Sequence, residues 1–357
     1  MKIAAIIVRN KRNHFGGEFG CVLDAFADAG YPADKVFILS EGETHEFSQT
    51  VIECKNFFDA AVVSAEAKAL PALRAKTAEL LHAESAEPWL EAGNKLFLFA
   101  PFGEEGTASV RATAVPRLAE KSGVRYGSSV FRAVGVPAAR LEETVRSATA
   151  AGEGKLTVNA ASRFGEQRIE ILYDSNAPKM PVDAAARIVA ESLNDYVYAI
   201  DDTPLGRRAV EILKLRGMKV SVAESFTGGG VAARLVEVPG ASQVLHEGIV
   251  AYSNEAKAKR LGVSRETLAQ HGAVSDETAY EMAAGLLADG KCDAAVATTG
   301  IAGPSSDGTD KPVGLCYIAA GTNDAIYVYK YIFRGSRRDI TERAINQALF
   351  LLCKVIR

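Results

Sequence analysis

Short apolar runs alternate with amphipathic stretches along most of this chain, and that alternation restricts the fold more than any other feature. Residues 3–8, 35–39, 60–64 and 95–100 read as strands, with helix-like spacing at 19–29, 44–57, 68–81 and 109–122. Strand and helix in regular turn build βαβ units around a mostly parallel sheet. The pattern returns at the other end, with strands at 219–223, 247–252 and 294–298, an antiparallel pair at 313–320 and 325–333, and a closing helix at 341–356. Between them lies a shorter unit. Its paired strands are 155–161 and 166–173, its helix spans 182–193 with Pro181 at the start, and 194–200 closes it. The small, polar stretch 147–155 sets one boundary, and Asp201-Asp202-Thr203-Pro204, read as an acidic cap on a helix over 205–216, sets the other. The expected architecture is α/β: three-layer αβα units at residues 1–146 and 203–357 flank a small α+β insert at 147–202.

Composition narrows the class of function. The 357 residues are 48% hydrophobic and 24% charged, which is ordinary globular usage. A net charge of -3 carries no electrostatic footprint for nucleic acid or for an anionic membrane surface. The five cysteines, Cys21, Cys54, Cys292, Cys316 and Cys353, are scattered without a C-x-x-C pair, as expected of reduced thiols in a cytosol. The apolar run after Met1 is too short for a signal peptide, and no run approaches the length of a membrane span. A cytoplasmic protein is expected. His14, His45, His82, His246 and His271 show no metal-ligand spacing, and His271 is read as fixing a turn.

Open α/β sheets bind ligands beyond the carboxyl ends of their strands. Three predicted strands of the last segment deliver Ser225, Tyr252 and Thr299-Gly300 to one edge of one sheet, and Lys257 follows on a helix entry. The turn Thr227-Gly228-Gly229 lets backbone approach a ligand, and the helix start behind it offers N–H groups to an anion. A serine hydroxyl needs a neighbour to take its proton, and a neutral lysine is one solution. Lowering a lysine pKa from about 10.4 to near 7 corresponds to about 4 kcal/mol, within reach of burial. Tyr252 is placed to orient the pair or relay the proton. The bland alternative is a tight strand-to-helix turn at Ser225 and a solvated helix charge at Lys257.

The string Val222-Ala223-Glu224-Ser225-Phe226-Thr227-Gly228-Gly229 resembles the signature of the competence/damage-inducible CinA family, usually A-E-S-C-T-G-G. The resemblance continues through Gly248-Ile249-Val250-Ala251-Tyr252-Ser253-Asn254-Glu255-Ala256-Lys257 and His271-Gly272-Ala273-Val274-Ser275. Thr299-Gly300-Ile301-Ala302-Gly303-Pro304 and Lys311-Pro312-Val313-Gly314 complete it. Family members with this domain are nicotinamide mononucleotide deamidases, so the resemblance implies Ser225 as nucleophile with Lys257 and Tyr252 activating it. Backbone N–H groups after Ser225 or at Thr299-Gly300 suit the oxyanion. Lys311, Arg337 and the Thr227-Gly228-Gly229 helix start are the candidates for the substrate phosphate. The loop 303–311 is read as a lid. Phe226 replaces the usual Cys, and Gly335-Ser336-Arg337 replaces the more frequent Gly-Asp-Arg.

The order of segments resembles full-length CinA: a molybdopterin-binding-like domain, a KH-type insert, then the deamidase. Here the T-G-G-x-G-P-T turn of related N-terminal domains reads Ser64-Ala65-Glu66-Ala67-Lys68, and the proline-rich loop reads Pro101-Phe102-Gly103-Glu104-Glu105-Gly106. A structural or dimerising role is therefore expected of this domain, with metal-dependent ADP-ribose hydrolysis as an alternative. The insert lacks a G-x-x-G clamp, so nucleic acid is not an expected partner. No cofactor is expected for the amide step, and a divalent metal only if the N-terminal domain keeps pyrophosphatase activity. The resemblance implies a homodimer with a small nucleotide substrate. The competing reading is a non-enzymatic partner protein in competence or recombination.

Overall fold

The structure, a computed structural model, describes residues 1–357 except 11–18, 87, 307 and 309. His14 thus lies outside the described residues. The chain divides into two compact units, one of Met1–Ser128 with Leu172–Lys179, the other of Ser129–Ile171 with Met180–Arg357.

The first unit runs β1 (Ile3–Arg9), α1 (Gly20–Asp28), β2 (Lys35–Ser40), α2 (Thr44–Phe57), β3 (Ala60–Ala65) and α3 (Leu70–Leu81). It continues with the hairpin β4 (Ser85–Ala86) and β5 (Trp89–Ala92), then β6 (Lys95–Pro101), α4 (Gly103–Ser109) and α5 (Val115–Ser122). The sheet order is β2-β1-β3-β6-β5-β4, parallel from β2 to β6 and antiparallel through the hairpin. Every residue of β3 is buried, because helices cover both faces and a central parallel strand needs apolar groups on each side.

The second unit carries α6 (Ala138–Ala151), and the four-stranded sheet order is β10-β7-β9-β8. Its strands are β7 (Tyr126–Val134), β8 (Leu156–Arg163), β9 (Glu166–Asp174) and β10 (Val197–Ala199), with α7 (Lys179–Ser192) before the last. The boundary expected at 146/147 falls inside α6, and β7 is an element that the apolar pattern did not disclose.

The remaining elements form a second αβα layering. They are α8 (Leu205–Arg216), β11 (Val220–Glu224), α9 (Gly230–Val236), β12 (Leu245–Val250), α10 (Asn254–Leu261), α11 (Arg265–Gln270) and α12 (Asp276–Leu287). After them come β13 (Ala294–Gly300), β14 (Leu315–Thr322), β15 (Ile326–Ile332) and α13 (Arg337–Val355). The strand order is β12-β11-β13-β14-β15, with the first three parallel and the last two antiparallel, as expected. Helices α8, α9 and α13 bury one face; α10 and α12 bury the other.

Two helix starts differ from expectation. Asp201 accepts from the Thr203 amide and pairs with Arg208, while Pro204 stands at the cap position of α8, so neither acidic side chain caps that helix directly. α13 begins at Arg337 rather than 341, because Ser336 and Asp339 bond each other's backbone N–H reciprocally.

The α10–α12 packing places the lysine-bearing helix on the sheet, and it depends on Gly285. A Cβ at that position would lie 1.9 Å from the Leu261 carbonyl oxygen, a backbone atom that cannot rotate aside. Gly285→Ala gains about 1 kcal/mol of helix propensity. Overpacking typically costs about 1–3 kcal/mol. The expected outcome is a net loss of stability, read as a lower urea midpoint with an unchanged slope.

Candidate active site

Register places the site. β11 and β13 are parallel neighbours with Glu224 opposite Thr298, so their carboxyl ends emerge side by side. The Ser225 amide donates to the Thr298 carbonyl at 3.0 Å, which extends the ladder one residue into the turn. Thr227 and Thr298 join through their hydroxyls at 2.6 Å. Gly228 and Gly229 hold φ of 63° and 98°, the left-handed region where a side chain is strained. Gly300 lies against Phe226: a Cβ there would sit 2.9 Å from the Phe226 ring.

The carboxylate of Glu224 organises this turn. It is 1% exposed and accepts from the amides of Gly229 at 3.0 Å, Val231 at 3.1 Å and Ala232 at 2.9 Å. Those are the N–H groups that the sequence reading offered to a phosphate at the Thr227-Gly228-Gly229 helix start. An internal anion already fills that nest, which corrects the expectation. By contrast, among the described residues the Phe226 and Thr227 amides donate no hydrogen bond. Glu224 was part of the quoted motif, but its role went unread; an acidic residue one position before a strand-to-helix turn was the available signal.

Lys257 meets Ser225 directly. Ser253 caps α10 by accepting from the Ala256 amide, and one turn later Lys257 points back at the sheet. Its Nζ lies 3.0 Å from Ser225 Oγ, 3.0 Å from the Ala251 carbonyl and 3.1 Å from the Tyr252 carbonyl. The side chain is 1% exposed, and burial alone pushes its pKa down from 10.5 to about 8. A neutral amine has two N–H donors for the two carbonyls and one lone pair for the serine hydroxyl. The three contacts accommodate that form with the serine hydroxyl donating, and equally an ammonium that donates to all three oxygens.

The other predicted residues fall around this pair. Tyr252 contributes its carbonyl to Lys257, but its side chain is 62% exposed, and its hydroxyl lies 3.4 Å from Arg337 Nη2. The Lys257–Ser225 contact therefore needs no phenol relay. Arg337, the first residue of α13, donates to the Gly303 carbonyl at 2.6 Å, so it meets Tyr252 at the rim. Lys311 is tied into a turn by the carbonyls of His271 at 2.8 Å and Val274 at 2.7 Å. His271 pairs with Glu277 at 3.0 Å in that same turn. Thr299 Oγ1 donates to the Ala273 carbonyl at 2.5 Å and fastens the turn to β13. The loop read as a lid includes residues 307 and 309, which lie outside the described residues. Among the described residues no three His, Cys, Asp or Glu side chains converge as a metal site, and no helix is long and apolar enough to cross a membrane.

Comparison with known proteins bears on the same segment. Residues 202–356 match the CinA C-terminal domain family. The structure of competence/damage inducible protein CihA from Agrobacterium tumefaciens is 40% identical, covering 42% of this chain and 91% of that one, with a TM-score of 0.40. By that family match residues 202–356 belong to the CinA family. A CinA-like protein of Kosmotoga olearia is 35% identical over 264 residues, 73% of this chain and 64% of the relative. One from Fusobacterium nucleatum is 45% identical over 176 residues, 48% of this chain and 43% of the relative. The chain therefore spans less than two thirds of the length of either relative.

Two measurements follow from the geometry. Glu224→Gln replaces one accepting oxygen by a donor that faces backbone N–H groups. Bonds to a charged acceptor contribute about 1.5–3 kcal/mol, so a loss in that range is expected in urea unfolding. The second concerns Lys257, whose folded pKa of about 8 lies below its unfolded value of 10.5, so the unfolded chain holds more protons between them. Stability contributed by this group must then rise with pH across that window, by about 3 kcal/mol in all. Unfolding free energies at pH 7.5, 9 and 10 should show wild type gaining on Lys257→Met; parallel curves would contradict the shift.

Proposed function

We propose that the chain hydrolyses the carboxamide of nicotinamide mononucleotide, releasing ammonia and nicotinate mononucleotide. One observation carries the reading: a buried lysine with no counter-ion among the described residues, its amine 3.0 Å from a serine hydroxyl at the mouth of a parallel sheet. The resemblance to family deamidases supplies the substrate.

In this reading neutral Lys257 takes the Ser225 proton as Oγ attacks the amide carbon. The tetrahedral oxyanion is received by the Phe226 and Thr227 amides, whose hydrogens have no other acceptor among the described residues. The Lys257 ammonium then gives its proton to the departing nitrogen, and ammonia leaves an acyl ester on Ser225. Water, deprotonated by the regenerated amine, attacks the ester and frees the carboxylate and the serine. The Ala251 and Tyr252 carbonyls hold the amine throughout, accepting from it in either protonation state. Arg337 and Tyr252 at the rim are the groups proposed to meet the substrate phosphate, since Lys311 already has two carbonyl acceptors and the α9 amides are occupied.

Purified protein should release ammonia from nicotinamide mononucleotide, and Ser225→Ala should abolish it. Lys257→Met should lower kcat by about 10²–10⁴-fold, the usual effect of losing a general base. Because the base works unprotonated, kcat/KM should rise with pH and level off above about 8. Equal inactivity of wild type and Ser225→Ala on this substrate would end the proposal and leave the partner-protein reading in its place.

A further inference from the structure

A second cleft, of about 250 Å³, opens in the unit of Ser129–Ile171 with Met180–Arg357. Its lining includes Arg163, Phe164, Arg234, Arg338, Glu342 and Asn346, none of which hydrogen-bonds Ser225 among the described residues. The turn between β8 and β9 consists of Phe164 and Gly165, with φ of 50° and 76°. A phenylalanine in the left-handed region is strained and persists only where its surroundings hold it. Asn346 of α13 supplies one constraint, donating from Nδ2 to the Phe164 carbonyl at 3.2 Å. The guanidinium carbons of Arg163 and Arg338 flank the ring at 5.2 and 5.8 Å from its centroid.

Charge and hydrogen bonding in the cleft are both unbalanced. Arg234 is paired with Glu342 at 3.1 Å, and Glu166 is held by Arg132 at 3.2 Å and by the Tyr198 hydroxyl at 2.5 Å. Both carboxylates are thus engaged. Among the described residues no carboxylate pairs with Arg163, Arg338 or Arg343, whose side chain passes beside Gly165. Asn346 is 3% exposed, yet its Oδ1 has no donor, and the buried Nε of Arg343 has no acceptor. Buried polar atoms without partners are rare in folded proteins, and Asn346 Oδ1, which lines this cleft, calls for a ligand.

We propose that this cleft binds a small phosphate monoester that also carries a hydroxyl or N–H group. A phosphate dianion supplies the charge and acceptor oxygens that the unpaired guanidinium groups lack, and planar guanidinium suits it better than ammonium would. The ligand's own donor would satisfy Asn346 Oδ1. The volume lies below the roughly 300–1,000 Å³ of pockets for drug-sized ligands, so a phosphorylated sugar fits and a dinucleotide does not. An extended single-stranded nucleic acid would also meet arginines and an aromatic ring, but it would leave the buried amide of Asn346 unused.

The test is calorimetric titration of the full chain with ribose 5-phosphate and with inorganic phosphate. Saturable binding of both is expected, tighter for the sugar phosphate. The double variant Arg163→Gln, Arg338→Gln, with unchanged far-UV circular dichroism, should bind at least tenfold more weakly. Tyr252→Phe, which removes a hydroxyl proposed to meet the substrate phosphate, and Ser225→Ala should both bind as wild type does, which separates this site from the proposed active site. No binding at millimolar concentrations, undiminished binding by the double variant, or loss of binding in either active-site variant would each overturn the proposal. Tighter binding of a single-stranded oligonucleotide than of ribose 5-phosphate would overturn it too.

Discussion

A lysine ammonium inside a protein without a carboxylate costs more than most folds can tolerate, and the C-terminal sheet is arranged around that cost. Lys257 is completely enclosed, yet its partners are two carbonyls and a hydroxyl, and none bears a charge. A counter-ion would stabilise the ammonium and raise the pKa. Its absence keeps the amine near the point where it can lose its proton at physiological pH. The same choice weakens the folded state at neutral pH, since part of the population must hold a buried charge. Stability is given up at the position where a base is wanted, a trade expected of functional sites.

The serine depends on a different economy. A strand-to-helix turn exposes several amides at once, and they are attractive to any anion. In this turn an internal carboxylate, Glu224, takes three of them and locks the glycines in place. The amides of Phe226 and Thr227 are left over. The turn is thus stiffened by its own acid, while the two donors next to Ser225 stay available.

Much of this was readable in the amino-acid string, for physical reasons. β11, β12 and β13 announce themselves as apolar runs, and hydroxyls, glycines and a lysine at their ends stand out against them. Ser253 and Ser275 each lie three residues before an amide they accept from, a local signal that marks a helix start. Long-range reach was not readable. Lys311 finds carbonyls 37 and 40 residues away, and nothing in its neighbours distinguishes that role from a phosphate contact. β7 escaped because its first four residues, Tyr126-Gly127-Ser128-Ser129, carry no apolar alternation. The start of α13 was placed late because the cap pair Ser336–Asp339, not the apolar stripe, decides where the helix begins.

Filling the α9 nest from within has a consequence for substrate recognition. Three amides of that helix start already bond Glu224, so in the proposed reaction side chains would have to supply the charge that meets a substrate phosphate. The first two residues of α13 are both arginines, and they diverge: Arg337 reaches Gly303 and Tyr252, whereas Arg338 turns to Phe164. One helix terminus thereby serves the rim of the Ser225 site and the wall of the second cleft. Reorientation of this first turn would be felt at both, because Ser336 and Asp339 clamp it as one rigid piece. Were the proposed phosphate held at Arg338, its coupling to the geometry of Arg337 would need no long pathway, only the stiffness of a single capped turn.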